Sequence, residues 1–225
     1  LYNWGSGDFA RPLDDQNSSA AVSRWAFDGD VTDSWGSNDG GSATASGYSS
    51  DAIRGKSMEF DGSEYIQSND SSSLDISSSI TLSAWIKSND TSTGRCIVAK
   101  AVQNGARNYQ LYQNSGSLQW YDAQNGSYER GKIIEREWQQ VAATFDNGIL
   151  KLYINGRVLD RITGLSNLSE NSGKLWIGDD GYGNRWNGNI DDLRIYDEAL
   201  SPNEVFELYR WGTRGRDMRK QLVNY

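Results

Sequence analysis

Closely spaced carboxylates are the residues of this chain that could do acid–base chemistry. Glycosidases use two acidic side chains that flank one bond, and residues 59–64 contain Glu59, Asp61 and Glu64. The intervening Asp61-Gly62-Ser63 is typical of a turn between two short strands. We therefore expect these carboxylates to diverge rather than to share one face, which argues against a catalytic pair.

The remaining nucleophiles and acids fit catalysis no better. Glu135 and Glu137 enclose an arginine in a loop-like stretch, which indicates a solvated charge cluster. The 225 residues include no histidine, so no histidine-based triad or histidine-rich zinc site can form. The single cysteine, Cys96, lies in an apolar strand-like run and is predicted to be a buried structural thiol. We expect a protein that is not an enzyme.

A loop rich in oxygen ligands is the better chemical candidate. Residues 28–40 combine carboxylates, asparagine and glycine, which is the kind of flexible segment that supplies oxygens to Ca²⁺. The predicted ligands from this loop are Asp28, Asp30, Asp33 and Asn38, some through main-chain oxygens. The alternative is that these side chains only cap turns.

Composition limits the classes of partner. Net charge is -8, which argues against binding to nucleic-acid phosphates over the body of the protein. No run of about 18 apolar residues is present, so no membrane-spanning segment is predicted. Sequons occur at Asn17, Asn69, Asn89, Asn125 and Asn167, which gives weak support for an extracellular glycoprotein. The chain starts without methionine or a signal peptide, as in a processed or excised protein.

Short alternating strands with tight turns account for most of the chain. Residues 81–87 alternate clearly, and Asn147-Gly148 and Asn155-Gly156 separate apolar-alternating runs, which is the strongest short-range signal for hairpins. Strands are expected at residues 21–27, 57–60, 65–67, 81–87, 108–112, 117–122, 139–146, 149–154, 157–162, 174–177 and 188–196. This pattern predicts an all-β, antiparallel two-sheet sandwich.

One short helix is expected near the C-terminus. Ser201-Pro202-Asn203-Glu204 forms a capping box, and apolar residues follow it up to Tyr209. We therefore predict an N-terminal arm at residues 1–20, one domain at 21–209 and a basic C-terminal tail at 210–225. The tail is either simply solvated or docks onto an acidic neighbour, such as another copy or a larger assembly.

An ordered set of motifs resembles laminin-G-like jelly-roll domains of the concanavalin-A-like lectin/glucanase superfamily. The resemblance covers roughly residues 21–209. Its motifs are WAFDG (25–29), DSWGSNDG (33–40), MEFDGSEYI (58–66), TLSAWI (81–86), WQQVAATF (138–145), LYING (152–156), WNGNIDDLRIY (186–196) and ALSPNEV (199–205). The resemblance implies a jelly roll with a concave face, in a carbohydrate-binding or adhesion module of secreted, cell-surface or virion-surface proteins.

The resemblance also implies where the sites should lie. Asp191 matches the aspartate that often completes a structural calcium site in this superfamily. Glycan binding on the concave face or its rim loops would use aromatic and amide side chains; the candidates are Tyr109, Trp120, Tyr121, Tyr182, Trp186 and Asn184. Tyr182 and Trp186 occupy a Gly-rich loop predicted at residues 179–188, so exposure is expected for both.

The sequence therefore indicates two possible functions. The first is a non-catalytic recognition or adhesion module for a glycan or a surface glycoprotein. The alternative is a structural decoration protein of a virion or cell envelope, assembled with its own copies or a larger structure through its terminal arms.

Overall fold

A computed structural model describes residues 19–43 and 47–222. In chain order the strands are β1 (Ala21–Trp25), β2 (Ser42–Ala43), β3 (Gly47–Ser49), β4 (Ser57–Asp61), β5 (Ile66–Ser68), β6 (Ser79–Ser88), β7 (Arg95–Ala101), β8 (Arg107–Asn114), β9 (Ser117–Asp122), β10 (Gly126–Arg130), β11 (Gln139–Asp146), β12 (Ile149–Ile154), β13 (Arg157–Thr163), β14 (Lys174–Ile177) and β15 (Asn187–Tyr196). A 3₁₀ turn spans Ser72–Leu74, and the helix α1 spans Pro202–Leu222.

The strands form two antiparallel sheets. Sheet A has eight strands, in the order β13-β12-β11-β6-β15-β4-β3, with β1 also paired to β15. Sheet B has seven strands, in the order β10-β9-β8-β7-β14-β5-β2. This architecture confirms the predicted β-sandwich.

The hairpin turns have the backbone that their sequence predicts. Asn147-Gly148 joins β11 to β12, and both of its residues have positive φ, at 44° and 84°. Asn155-Gly156 joins β12 to β13 with φ values of 52° and 71°. Asparagine and glycine adopt this conformation more readily than other residues, so these dipeptides fix the register of three neighbouring strands.

The main hydrophobic core fills the space between the sheets. Alternate residues of the longer strands point inward, and the inward-facing aromatic rings are the largest groups there. Trp120 of sheet B and Phe145 of sheet A stack across the interface, with ring centroids 6.3 Å apart. No disulfide contributes, because Cys96 is the only cysteine and its thiol is buried.

Helix α1 adds a third layer on the outer face of sheet A. The predicted capping box is present: the Ser201 backbone N–H donates to the Glu204 carboxylate (2.7 Å), and the Glu204 N–H donates to the Ser201 hydroxyl (3.3 Å). Val205 and Leu208 of the helix are buried in a small second cluster together with Tyr196 of β15. The helix thereby covers the face of sheet A that points away from the main core.

The sequence pattern predicted apolar helical residues only up to Tyr209, whereas the helix continues to Leu222. The beginning of the predicted tail is part of the domain, because Trp211 lies under the Arg54 guanidinium at 3.6 Å and Gly212 is buried. A β-carbon at Gly212 would lie 2.5 Å from the Trp85 ring, so only glycine allows this close packing. The predicted boundary at residue 210 was wrong for this reason.

Two further expectations concern the ends of the chain and membranes. The predicted N-terminal arm, residues 1–20, lies almost entirely outside the described residues, which begin at position 19. Among the helices of the described part, none is long and apolar enough to cross a membrane.

Candidate functional site

The carboxylates of residues 59–64 do not all diverge, because Glu59 and Asp61 both lie on β4, two residues apart, and are exposed on the same face of that strand. The expectation was wrong for this pair, since the turn begins only after Asp61. Asp61 ends β4 and accepts hydrogen bonds from the Ser63 backbone and hydroxyl at 2.7 and 2.6 Å, which lower its pKa. Glu64 accepts from the Asp61 backbone N–H at 3.1 Å. The chain then enters β5, which belongs to the other sheet. Asp61 and Glu64 therefore stabilise the turn at which the chain crosses between the sheets.

The predicted calcium ligand Asp33 holds its own loop together. Its Oδ1 accepts backbone N–H groups of Arg24, Trp35 and Gly36 at 2.9 to 3.1 Å, and its Oδ2 accepts that of Asn38 at 3.1 Å. The Asn38 side chain donates to the Ser23 and Ser73 hydroxyls. These hydrogen bonds support the alternative interpretation, in which Asp33 and Asn38 stabilise turns.

The other predicted calcium ligands are engaged separately. Asp28 accepts from the Lys56 backbone N–H (2.8 Å), and Asp30 accepts from the Thr32 N–H (3.0 Å). Asp191 accepts the N–H groups of Ile53 and Arg54 at 2.7 and 3.2 Å. Burial, with the neighbouring Asp192 charge, raises the pKa of Asp191 well above its usual value.

These residues do not fit a calcium cage in the part of the chain that the structure describes. Within that part, no three acidic, cysteine or histidine side chains come together as a metal site. Calcium needs six to eight oxygens, and the carboxylates of Asp33 and Asp191 already accept several N–H donors. Calcium therefore stays a prediction of the sequence.

Three of the predicted glycan-binding aromatics are core residues. Tyr109, Trp120 and Trp186 have no exposed surface and pack between the sheets. The Tyr109 hydroxyl donates to the Leu74 carbonyl, and the Trp120 indole N–H donates to Asp122. The predicted exposure of Trp186 was wrong, because the residue sits where the Gly-rich loop turns into β15 and points into the core. No sugar can stack on these three rings in the folded protein.

The exposure of Tyr182 agrees with the prediction, since its side chain is 47% exposed. Tyr121 is half-buried on the outer face of sheet B, and Asn184 is half-buried beside it in the Gly-rich loop. Arg107 joins the two tyrosines, with its guanidinium 4.1 Å from the centroid of the Tyr182 ring and 5.1 Å from that of Tyr121. The structure thus brings Tyr121, Tyr182 and Asn184 to one surface.

In the structure the Gly-rich loop spans residues 178–186 and connects β14 of sheet B to β15 of sheet A. Its base is closed by a hydrogen bond from the Trp186 N–H to the Gly178 carbonyl at 2.8 Å. Asp179 accepts backbone N–H groups of Asp180 and Gly183 at 2.7 and 3.1 Å, so it holds the curve of the loop from inside.

Asp180 fastens this loop to sheet B. Its Oδ2 accepts hydrogen bonds from the side chains of Arg107, Gln110 and Asn184 at 2.7, 3.2 and 2.9 Å. Burial alone would raise the pKa of Asp180, but the hydrogen bonds from Asn184 and Arg107 and the Arg107 charge lower it. The loop therefore covers the middle of the outer face of sheet B, where Gln110 is buried.

A cavity of about 580 Å³ opens beside the Gly-rich loop on the outer side of sheet B. Its walls combine aromatic, amide and cationic side chains with one carboxylate: Tyr65, Gln67, Gln103, Asn104, Lys174, Trp176, Asp179, Tyr182 and Arg185. Gly181 also lines it with a φ of 77°, and a β-carbon there would lie 3.1 Å from the Gln103 Cα and 3.4 Å from the Trp176 ring. The backbone of the loop can therefore lie directly against this indole.

The aromatic wall is assembled from distant segments. Tyr65 precedes β5 and Trp176 lies in β14, and their ring centroids are 5.4 Å apart at 51°. The Trp176 indole N–H donates to the Ala101 carbonyl, and the Tyr182 hydroxyl donates to the Gly105 carbonyl at 3.2 Å. The rings are thus held in place before any ligand arrives.

Sequence reasoning overlooked Tyr65, Trp176 and Arg185 as members of this cavity. Trp176 alternates with Leu175 and Ile177, which face the core. Its position on the opposite face of β14 was therefore readable from the period-two pattern. Nothing in the sequence indicated that the Gly-rich loop would lie alongside it.

The sequons differ in how they present their side-chain amides. Asn69, Asn89 and Asn167 are exposed, whereas Asn17 lies outside the described residues. Asn125 is half-buried, and its Nδ2, the atom that carries an N-linked glycan, donates to Asp122 and to the Ser166 carbonyl.

Comparison with known families decides the relationship. A laminin-G profile, described as the concanavalin A-like lectin/glucanases superfamily, matches residues 60–206. The chain belongs to this superfamily. The match confirms the resemblance seen in the motifs and agrees with the jelly-roll arrangement of the two sheets.

Several solved structures share the fold. Domain 4 of AbnA, an extracellular GH43 arabinanase from Geobacillus stearothermophilus solved with arabinotriose, is 24% identical, with a TM-score of 0.72. The alignment covers 84% of this chain and 98% of that domain.

Two toxin binding domains are similar over a smaller share of their length. The binding domain of Paraclostridial Mosquitocidal Protein 1 is 18% identical with a TM-score of 0.67, and 84% of this chain aligns with 52% of it. The botulinum neurotoxin serotype D ligand-binding domain, solved with N-acetylneuraminic acid, is 16% identical with a TM-score of 0.64. There, 85% of this chain aligns with 50% of the toxin domain. The chain thus spans about half the length of these toxin domains.

Proposed function

We propose that this protein is a non-catalytic carbohydrate-binding module whose site is the cavity beside the Gly-rich loop. One observation carries the proposal: the rings of Tyr65, Trp176 and Tyr182 border a single open cavity that also contains amide side chains. Aromatic rings bind the C–H faces of sugars, and amides such as Gln67 and Gln103 hydrogen-bond their hydroxyls. Concave sites with a few fixed polar groups are the usual form of a ligand site.

The proposal also has support from the relatives. One protein of the same fold was solved with arabinotriose and another with N-acetylneuraminic acid. We extend glycan recognition to this chain and place its partner, a glycan or surface glycoprotein, outside the cell or on a surface. The first of these is one domain of an arabinanase, so a domain of this fold can be part of an enzyme.

Alanine substitutions at the cavity test the proposal directly. Tyr182→Ala removes the most exposed ring of the site. We expect it to weaken binding to any polysaccharide that the wild type binds by at least about tenfold. Tyr182→Phe retains the ring and should bind within about threefold of the wild type. The measurement is affinity electrophoresis or calorimetry against a panel of plant, bacterial and animal glycans.

Tyr48→Ala is the matched control. Tyr48 is also a partly exposed tyrosine, at 36%, but it lies on β3 of the other sheet. Its substitution should leave both glycan binding and the melting temperature unchanged. Absence of binding by the wild type to the whole panel, or equal losses in Tyr48→Ala and Tyr182→Ala, would contradict the proposal.

A second proposed function is surface decoration through the ends of the chain. It is motivated by the cationic residues Arg210, Arg214, Arg216, Arg219 and Lys220 on an otherwise acidic protein. These residues fall in helix α1, so an assembly contact would involve a helical segment. Removal of residues 215–225, which deletes Arg216, Arg219 and Lys220, should abolish assembly and leave glycan binding unchanged.

A further inference from the structure

We infer that the cavity beside the Gly-rich loop selects acidic saccharides, those that carry a carboxylate or a sulfate, over neutral ones. This inference rests on the proposed glycan-binding function of the same cavity. It comes from the charges that the walls present to solvent, which oppose the net charge of -8 of the whole chain.

Lys174 is the main source of this positive charge. It lies at the start of β14 on the cavity wall and is exposed. Its ammonium donates to the Gln67 side-chain oxygen at 3.3 Å. Among the described residues, no carboxylate lies within ion-pair distance of it. The ammonium is therefore available to a ligand anion without first breaking an ion pair.

Arg185 supplies a second cation from the Gly-rich loop. Its Nε donates to Asp179 at 3.3 Å, its Nη1 donates to the Ser63 carbonyl, and its guanidinium lies 5.2 Å from the centroid of the Tyr65 ring. The described residues accept no hydrogen bond from its Nη2. The guanidinium is thus held at the mouth of the cavity with donor capacity remaining for an oxyanion.

The one acidic side chain among the described lining residues does not cancel this arrangement. The Asp179 side chain is only 3% exposed, and it accepts the N–H groups of Asp180 and Gly183 as well as the Arg185 guanidinium. It can neutralise Arg185 but presents almost no carboxylate surface to a ligand. One uncompensated positive charge, that of Lys174, therefore remains in the cavity.

Aromatic rings near two cations suit a charged sugar better than a free anion. The exposed ring of Tyr182 can contact a pyranose or furanose ring, and Lys174 can pair with an acidic substituent of that sugar. Long flexible lysine gives a point charge rather than a fixed fork, so both carboxylates and sulfates are compatible. A small inorganic anion would use the cations but leave the rings without a partner.

Matched polysaccharides that differ only in charge test the inference. We would compare polygalacturonate with its methyl ester, and chondroitin 4-sulfate with carboxyl-reduced and with desulfated chondroitin. The acidic member of at least one pair should bind about tenfold or more tightly than its neutralised form. The chondroitin arms identify whether the carboxylate or the sulfate carries the preference.

Lys174→Gln should remove most of that preference, and Lys174→Arg should retain it. Lys132→Gln is the control for net charge, because Lys132 is exposed in the loop after β10, at the opposite edge of sheet B. It should change neither affinity nor selectivity. Melting temperatures of all three variants should match the wild type, since both lysines are on the surface.

The outcomes separate this inference from the proposed function. Binding of neutral glycans that is as tight as that of acidic ones, and lost in Tyr182→Ala, would overturn the inference and leave the glycan-binding function standing. An acidic preference that Lys174→Gln does not reduce would also overturn it. Failure to bind any glycan, neutral or acidic, would overturn both.

Discussion

Single carboxylates give the Gly-rich loop its fixed shape. Asp179 binds the backbone of the loop, and Asp180 binds side chains of the sheet beneath it, Arg107 among them. Buried aspartates are favourable only when donors surround them, and both residues have such donors. The aromatic wall of the cavity therefore depends on two residues that do not themselves offer a surface to the ligand.

Asp180→Asn should lower the free energy of unfolding by about 3 kcal/mol at pH 7, because it leaves the Arg107 charge without its partner in a largely buried site. The pKa of Asp180 is lowered in the folded state, so its contribution is fully present above the unfolded value of about 3.9. That contribution is lost as the pH falls through the folded pKa. The measurement is urea unfolding of both proteins between pH 3 and pH 7.

The stability difference between the wild type and the variant should therefore begin to narrow as the pH falls below about 3.9. A difference that stays constant over this range would mean that the carboxylate charge is not responsible. Asp160→Asn serves as a control, because the Asp160 ion pair with Arg130 is exposed, and its loss should change stability far less.

At the scale of elements, the C-terminal helix is the largest departure from the expected organisation. The capping box set its start, but no residue near position 209 stops it, and packing on sheet A stabilises its next turn. Tyr209 stacks on Trp85 at 5.6 Å, and Trp211 contacts three arginine side chains from other segments, those of Arg24, Arg54 and Arg194. The helix is thus integral to the domain at least as far as these contacts.

A pair of truncations separates domain stability from assembly. Removing residues 215–225 should leave the melting temperature within a few degrees, whereas removing 210–225 also deletes Trp211 and should lower stability by about 2–4 kcal/mol. The readouts are thermal unfolding and light scattering. If the shorter deletion also abolishes self-association, the surface-decoration function gains support. If it leaves association unchanged, the basic segment is not the contact.

At the scale of the whole molecule, the sandwich joins segments from both ends of the chain. β1 pairs with β15 on one side, and the Asp33 loop and the Asp191 bulge lie at this junction. Ion binding at such a junction would act on global stability, because a ligand that binds only the folded state stabilises all of it.

The melting temperature of the whole domain tests the calcium prediction. Calcium binding would raise the melting temperature in millimolar Ca²⁺ relative to a chelator, and Asp191→Ala would remove the difference. Tyr182→Ala, on the outer side of sheet B, would keep it. Identical wild-type melting temperatures in calcium and in the chelator would overturn the prediction.

Local patterns in the sequence determined the elements of the fold. Period-two alternation located β6, β11 and β12, and the Asn-Gly turns fixed the hairpins between β11 and β13, because these signals depend on neighbouring residues only. The exposed strand β10 was not predicted, since few apolar residues alternate in it. The ordered motifs were sufficient to identify the superfamily.

Only the tertiary structure decided which side chains meet a ligand. Trp186 and Tyr182 belong to the same Gly-rich loop, yet one is buried in the core and the other is 47% exposed. Tyr65 and Trp176 form one wall although they come from distant parts of the chain. Exposure and proximity are set by which distant segment packs against each residue, and composition and spacing along the chain do not contain that information.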